Sequence, residues 1–343
     1  MKALVLEAYN QLKFTDTFPV PEIEGDEVLI RVKACGICGS DVHGMDGSSG
    51  RRIPPIVMGH EASGVIESVG KSVVNWKPGD RVTFDSTIYM LDDWYTLHGH
   101  YNLSDNRKVL GVSPGEYRKH GAFAEYVTVP QHIMYRIPDN VKFEHAAMVE
   151  PVAVALHSIS LSGIQLGDTA TVIGAGMIGT FIIKLLKLSG IKVIAVDLDE
   201  TKLKQAKHSG ADHVLNAQNE NIEKEVKDIC NGRGADFAFE AVGVNATVGT
   251  AISLVRKGGT VVLVGNLSPK VEFPLQKVVT QELKVLGSCA INGEYEKVLH
   301  LMSEGLINVE EHISAIVPLN EGADWFKRLY NKEEGLNKVI LVP

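Results

Sequence analysis

The stretch TATVIGAGMIGTFIIKLLKLSGIKVIAVD, residues 169–197, decides how this chain folds. It opens as an apolar run, turns on Gly174, Gly176 and Gly179 in the pattern GxGxxG, continues with helical spacing to Gly190 and becomes apolar again up to Asp197. A GxGxxG alone is a weak signal, because glycine-rich turns are common; this one follows a strand and opens a helix. There the first glycine allows a tight turn, the second lets backbone approach a pyrophosphate, and the third lets helix and strand pack closely. Asp197, at the end of the second strand, is placed to accept hydrogen bonds from both adenosine ribose hydroxyls and to repel a 2′-phosphate. No arginine follows in Leu198, Asp199 and Glu200, so NAD is expected over NADP. The ordinary alternative for Asp197 is a helix cap or a solvated acid.

Working outward, strand and helix go on alternating through ETKLKQAKHSG, HVLN, residues 219–230, DFAFEAVG and GGTVVLVG, the pattern of stacked βαβ units and a buried parallel sheet. Before about residue 150 the texture differs: short β-rich pieces such as EVLIRVKA, SGVIESVG, DRVTF and FAEYVTVP are broken by Gly and Pro, as in a small barrel or sandwich. After KVLGSC the regularity is lost, with EYEKVLHLMSEG reading as an amphipathic helix ahead of a final strand, KVILVP. The expected class is α/β: a β-rich domain over 1–152, a doubly wound domain over 153–289, and a C-terminal segment, 290–343, whose home pattern alone does not assign.

At 343 residues two cores are expected. A formal charge of −8 lacks the basic footprint of a nucleic-acid or anionic-membrane binder, which leaves a small-molecule partner. MKALVLEAYN is too short in its apolar run for a signal peptide, and the uncharged run from Thr169 to Ile183 is broken by glycines rather than membrane-spanning. Four cysteines in a chain this long form no disulfide framework and fit a reducing compartment, so a cytoplasmic location is expected.

The stretch CGICGSDVH, Cys35 to His43, reads as half a zinc knuckle, a redox pair, or a mixed site in which one sulfur matters. Further on stand GHE, with His60 and Glu61, and VEP, with Glu150. Thiolate, imidazole and carboxylate together suit Zn²⁺, and a set with so few sulfurs leaves an open position, the catalytic arrangement. Taken singly, Cys38 is an ordinary buried thiol, His60 a core histidine and Glu61 a surface acid.

They do not stand singly. CGICGSDVH, GHEASGVIESVG, PGDRV, GAFAEYV, VEPVAVALHS and VIGAGMIG, in this order, resemble the zinc-dependent branch of the medium-chain dehydrogenase/reductase family, over essentially the whole chain. The resemblance implies a GroES-like catalytic domain, a Rossmann coenzyme domain and a C-terminal segment returning to the catalytic domain. It implies Cys38 and His60 as ligands of one catalytic zinc per subunit, Glu61 as an exchangeable ligand, and Glu150 as either a third ligand or a carboxylate holding zinc-bound water. Cys35 falls outside that set, and Asp41 takes the place of the acid that orients His60. It also implies a homodimer or homotetramer.

A zinc at such a site would lower the pKa of an alcohol, whose hydride would pass to the nicotinamide and whose proton needs a route to solvent. Ser40 is expected to take that proton and His43 to relay it. Cofactor contacts are expected from the backbone near Ile178, from Lys202, and from Val264, Gly265, Asn266, Gly287 and Ser288 at strand ends. Where many relatives carry four cysteines for a structural zinc, this chain has Met90, Asp93, Thr96 and Ser104, so no structural zinc is expected and Tyr89, Trp94 and Tyr95 are left to hold that lobe. Arg51 and Arg52 are expected either to grip an anionic group at the substrate cleft or to lie exposed. The expected activity is oxidation of a secondary alcohol, a polyol or polyol phosphate, with L-threonine and 2,3-butanediol as alternative substrates. The non-enzymatic alternative is a catalytically silent NAD-binding protein.

Overall fold

A computed structural model describes residues 1–112, 119–219 and 221–343. The chain forms two compact units, one of Met1–Glu150 with Tyr295–Pro343 and one of Pro151–Glu294.

In the second unit six parallel strands lie in the order His213–Asn216, Lys192–Asp197, Thr169–Ile173, Ala235–Glu240, Val255–Leu263, Lys284–Gly287. Numbered along the unit this is 3-2-1-4-5-6, the doubly wound Rossmann order, which reverses direction beside Thr169–Ile173. Strands covered on both faces are apolar throughout rather than alternating, and KVIAVD shows it: Val193 to Val196 are all buried. The glycine turn leads into the helix Met177–Leu188, which stops at Ser189 and Gly190, the latter in the left-handed region at φ +73°. The helical charge spacing in residues 219–230 resolves into the helix Ile222–Ile229.

In the first unit the strand Glu27–Gly36 is the organiser. It pairs antiparallel with Glu61–Val69, with Tyr126–Pro130 and, at its last two residues, with Lys338–Val342. Lys338–Val342 runs parallel to Ile313–Pro318 on its other side, so the C-terminal segment completes the sheet of the β-rich unit. The core beneath is built from Leu4, Leu6, Ile30, Ile56, Phe84 and Phe123, with Phe326 of the C-terminal segment edge-on to Phe123 at 5.7 Å.

The register of one strand pair positions the candidate metal ligands. Gly36 lies opposite Glu61 and Cys35 opposite Ala62. Leaving the sheet at Gly36, the chain therefore brings Cys38 beside His60 and Glu61, although more than twenty residues separate them in sequence. Gly36 has no side chain for a reason: a Cβ there would collide with the Glu61 carboxylate.

Candidate metal and dinucleotide sites

Cys38 caps the N-terminus of the short helix Gly39–Met45; its backbone N–H donates to Asp41 Oδ2 at 3.2 Å and its carbonyl accepts from Asp41 N at 3.0 Å. This turn points the sulfur toward the entry of the strand Glu61–Val69. The donor atoms of Cys38, His60 and Glu61 lie within 4.8 Å of one another, the one such group of metal-ligating side chains among the described residues. His60 and Glu61 are buried and Cys38 is half-buried. One soft sulfur, one borderline imidazole nitrogen and one hard carboxylate oxygen at this spacing fit zinc.

The electrostatics favour a cation here. Burial opposes charge on His60, but the Asp41 carboxylate and the Cys38 sulfur outweigh it and hold its pKa well above the usual value. Asp41, buried between His60 and Arg52, stays ionised far below the ordinary carboxylate range despite its burial. The negative groups that would favour an imidazolium equally favour a divalent metal. Cys35 is different: complete burial, with Asp41 and Glu61 adding to it, pushes its thiol up, and its sulfur lies in the apolar core. Glu150 is partly buried outside the three-residue group. Burial, with the Glu61 charge adding to it and His60 opposing, pushes its pKa up to about 7.

Ser40 Oγ donates to Cys38 Sγ at 3.2 Å and accepts from Arg52 at 3.1 Å. His43 is exposed, and among the described residues no hydrogen bond joins it to Ser40. The expectation for Arg52 is corrected. Its side chain is 0 % exposed and turned inward onto Asp41, neither on the surface nor open to a substrate; Arg51 alone is exposed. Sequence reasoning also missed Lys338, whose ammonium donates to both Glu61 oxygens at 2.9 and 2.6 Å and to the Ile37 carbonyl at 3.1 Å. A lone lysine opening the apolar strand KVILV was its only signal.

In the second unit Gly174 sits at φ +92°, and a Cβ at Gly179 would strike the Gly174 carbonyl oxygen. A Cβ at Gly176 would meet nothing within 4 Å, so the middle of the turn is open, as a cradle for a pyrophosphate requires. Ile178 lies in the first turn of the helix that follows. Asp197 Oδ2 accepts from Ala175 N at 2.7 Å, which ties the end of the second strand to the glycine turn. Asp199 caps the next helix, accepting from Thr201 and Lys202 backbone N–H groups, and leaves the Lys202 side chain exposed. Val264 and Gly265 both donate to the Glu240 carbonyl, at 2.8 and 2.9 Å, Gly243 packs against Gly265 and Asn266, and Ser288 N donates to Leu263 O at 2.9 Å, beyond Gly287. Glu240 was not foreseen: fully buried, it binds Val242 N at 2.9 Å and Gly243 N at 2.7 Å, fixing the loop that faces the glycine turn.

Residues 24–139 match the alcohol dehydrogenase GroES-like domain, and residues 178–304 match the zinc-binding dehydrogenase domain. Sorbitol dehydrogenase of Bacillus subtilis is 32% identical over 100% of this chain and 97% of its own length. The chain belongs to the zinc-dependent alcohol dehydrogenase family. D-arabitol-phosphate dehydrogenase of Enterococcus avium is 34% identical, over 95% of this chain and 93% of its own. The crystal structure of galactitol-1-phosphate dehydrogenase from Escherichia coli superposes with a TM-score of 0.92 at 27% identity, covering 100% of both chains.

Within this dehydrogenase fold the lobe around residues 90–104 is held by hydrogen bonds. Asp93 Oδ1 accepts from Thr96 N at 2.8 Å; its other oxygen accepts from the Ser104 hydroxyl and from Asp105 N, the latter at 3.0 Å; and Met90 N donates to Ser104 Oγ at 3.1 Å. Met90, Asp93, Thr96 and Ser104, the four positions singled out in the sequence, are thus linked through one carboxylate. The aromatic expectation holds for Tyr89, which stacks on Tyr101 at 4.3 Å, but not for Trp94, which is 61 % exposed, stacks on His98 and lies edge-on to Tyr95. His98 Nδ1 is engaged with Trp94 O at 2.6 Å. Among the described residues no helix is long and apolar enough to cross a membrane.

Proposed function

We propose that this dehydrogenase oxidises a secondary alcohol of a polyol or polyol phosphate, using one catalytic zinc per subunit and NAD. The observation that carries the proposal is the convergence of Cys38, His60 and Glu61 donors within 4.8 Å. Held by Cys38, His60 and Glu61, zinc would supply Lewis acidity toward an alcohol oxygen, and a nicotinamide dinucleotide held by the second unit would supply the hydride acceptor. The chain's own residues do the rest. Asp41 faces His60 Nδ1 at 3.5 Å and orients the ring. Ser40, beside the sulfur, is the first acceptor for the alcohol proton, and exposed His43 passes it to solvent, which requires Ser40 to turn from Cys38 when substrate enters. Glu150, with its raised pKa, holds or exchanges a proton next to the ligands.

The cradle Gly174, Gly176 and Gly179, with Ile178 behind it, receives the pyrophosphate, Asp197 and Lys202 the adenosine ribose, and Val264, Gly265, Asn266, Gly287 and Ser288 the nicotinamide half. Asp197 with no neighbouring arginine supports NAD. The polyol class rests on the likeness to sorbitol, arabitol-phosphate and galactitol-1-phosphate dehydrogenases. With Arg52 buried, its guanidinium no longer argues for a phosphorylated substrate. Four free cysteines support a reducing, cytoplasmic compartment, and assembly as a homodimer or homotetramer is read from size-exclusion with light scattering.

The test compares kcat/KM for sorbitol, galactitol 1-phosphate, 2,3-butanediol and L-threonine, before and after chelation. A polyol preference abolished by chelation and restored by zinc is expected. Full turnover in rigorously metal-free protein, or preference for threonine or butanediol, overturns it.

A further inference from the structure

Among the described residues Arg52 is the largest fully buried side chain, and most of its hydrogen-bonding capacity is wasted: Nε and Nη1 have no partner there. A buried guanidinium left half-satisfied costs stability, and an apolar side chain of similar volume would pack there at lower cost. The neighbouring helix also gives way to it. A Cβ at Gly44 would lie 2.6 Å from Arg52 Cδ and 3.0 Å from Nε, so the last turn of the helix Gly39–Met45 carries a glycine that admits this side chain.

What Arg52 does make is specific. Its Nη2 donates to Asp41 Oδ1 at 2.6 Å and to Ser40 Oγ at 3.1 Å. Each of those atoms touches a different candidate metal ligand: Ser40 Oγ donates to Cys38 Sγ at 3.2 Å, and Asp41 Oδ1 lies 3.5 Å from His60 Nδ1. One nitrogen thus sits behind both the sulfur and the imidazole. A hydroxyl has a single proton; with a guanidinium filling a lone pair of Ser40, that proton is directed at the sulfur. Asp41, anchored from behind, cannot rotate away from the ring.

We propose that Arg52 is a positioning residue for the metal centre, orienting Ser40 onto Cys38 and Asp41 onto His60 so that thiolate and imidazole are preset for a metal ion. This rests on the zinc reading of Cys38, His60 and Glu61. The probe is Co²⁺ added to metal-free full-length protein, read by its thiolate charge-transfer band and by competition with a chelator. Arg52→Met is expected to shift the band and weaken Co²⁺ binding roughly 10- to 100-fold, the usual effect of losing an outer hydrogen bond to a ligand. Arg52→Lys, which restores one charged nitrogen, is expected to recover most of both. Arg52→Gln, checked by near-ultraviolet circular dichroism, takes the place of Arg52→Met should that variant not fold, with a shifted band again expected. A folded Arg52→Met or Arg52→Gln protein with wild-type band and affinity overturns the proposal while leaving the zinc reading intact. Absence of a thiolate band in the wild type overturns the zinc reading and this proposal together.

Discussion

Lys338 and Glu61 are 277 residues apart in sequence and joined by two charged hydrogen bonds inside the β-rich unit, 2.9 and 2.6 Å long. Both side chains are buried. Burial opposes the charge on Lys338, but Glu61 and the Cys38 sulfur outweigh it and raise its pKa. The pair therefore does two things: it seats the C-terminal strand, and it holds the carboxylate that neighbours Cys38 and His60.

Removing one partner of such a pair strands the other charge. Lys338→Met is expected to lower unfolding stability by about 3–5 kcal/mol. Removing both, in Lys338→Met with Glu61→Gln, is expected to recover a large part of the loss, because no uncompensated charge stays buried. Denaturant titration of the two variants decides it; a Lys338→Met protein as stable as the wild type would show the pair to be incidental.

Asp197 accepts from Ala175 N of the glycine turn at 2.7 Å and from Asp199 N of its own loop at 3.0 Å, so it fastens the turn as well as being proposed to face the ribose. Asp197→Ser is expected to weaken NAD binding roughly 10- to 100-fold, since hydrogen bonds to a charged group contribute about 1.5–3 kcal/mol, and to admit NADP. Fluorescence titration with the two reduced cofactors measures both effects. An unchanged preference would remove Asp197 from the ribose site.

How much of this was legible in the sequence follows from range. The glycine turn, the βαβ alternation and the end-of-strand Asp197 are local patterns of backbone conformation and burial, and the structure places them in one six-stranded sheet. The grouping of Cys38, His60 and Glu61 depends on the Gly36↔Glu61 register, which residue spacing alone does not encode; the family resemblance supplied it. Arg52 failed because two adjacent arginines look alike in sequence, and only the space left by Gly44 turns one inward. Lys338 and Glu240 were missed because a buried ion pair and a loop-fastening carboxylate exist only once distant segments meet.

One zinc per chain is the expected elemental analysis of protein purified without chelators. Cys38→Ala is expected to bring that number close to zero, because the remaining imidazole and carboxylate have lost the thiolate. Two zincs in the wild type, one surviving in Cys38→Ala, would place a metal in the lobe that Asp93 now fastens.

That lobe carries its own pH signature. Hydrogen bonds from the Ser104 hydroxyl and from the Thr96 and Asp105 backbone hold the Asp93 carboxyl down to about 2, against an ordinary 3.8. A carboxyl depressed on folding stabilises the fold fully above its unfolded pKa and loses that contribution as pH falls toward its folded pKa. The lobe should therefore loosen between about pH 4 and about pH 2. Asp93→Asn removes the titrating group, so its stability should depend less on pH across that window than the wild type's, and should be lower than the wild type's at neutral pH. Limited proteolysis and tryptophan fluorescence, with Trp94 inside the lobe, follow the loosening directly. Parallel pH profiles for wild type and Asp93→Asn would show that the network does not fasten the lobe.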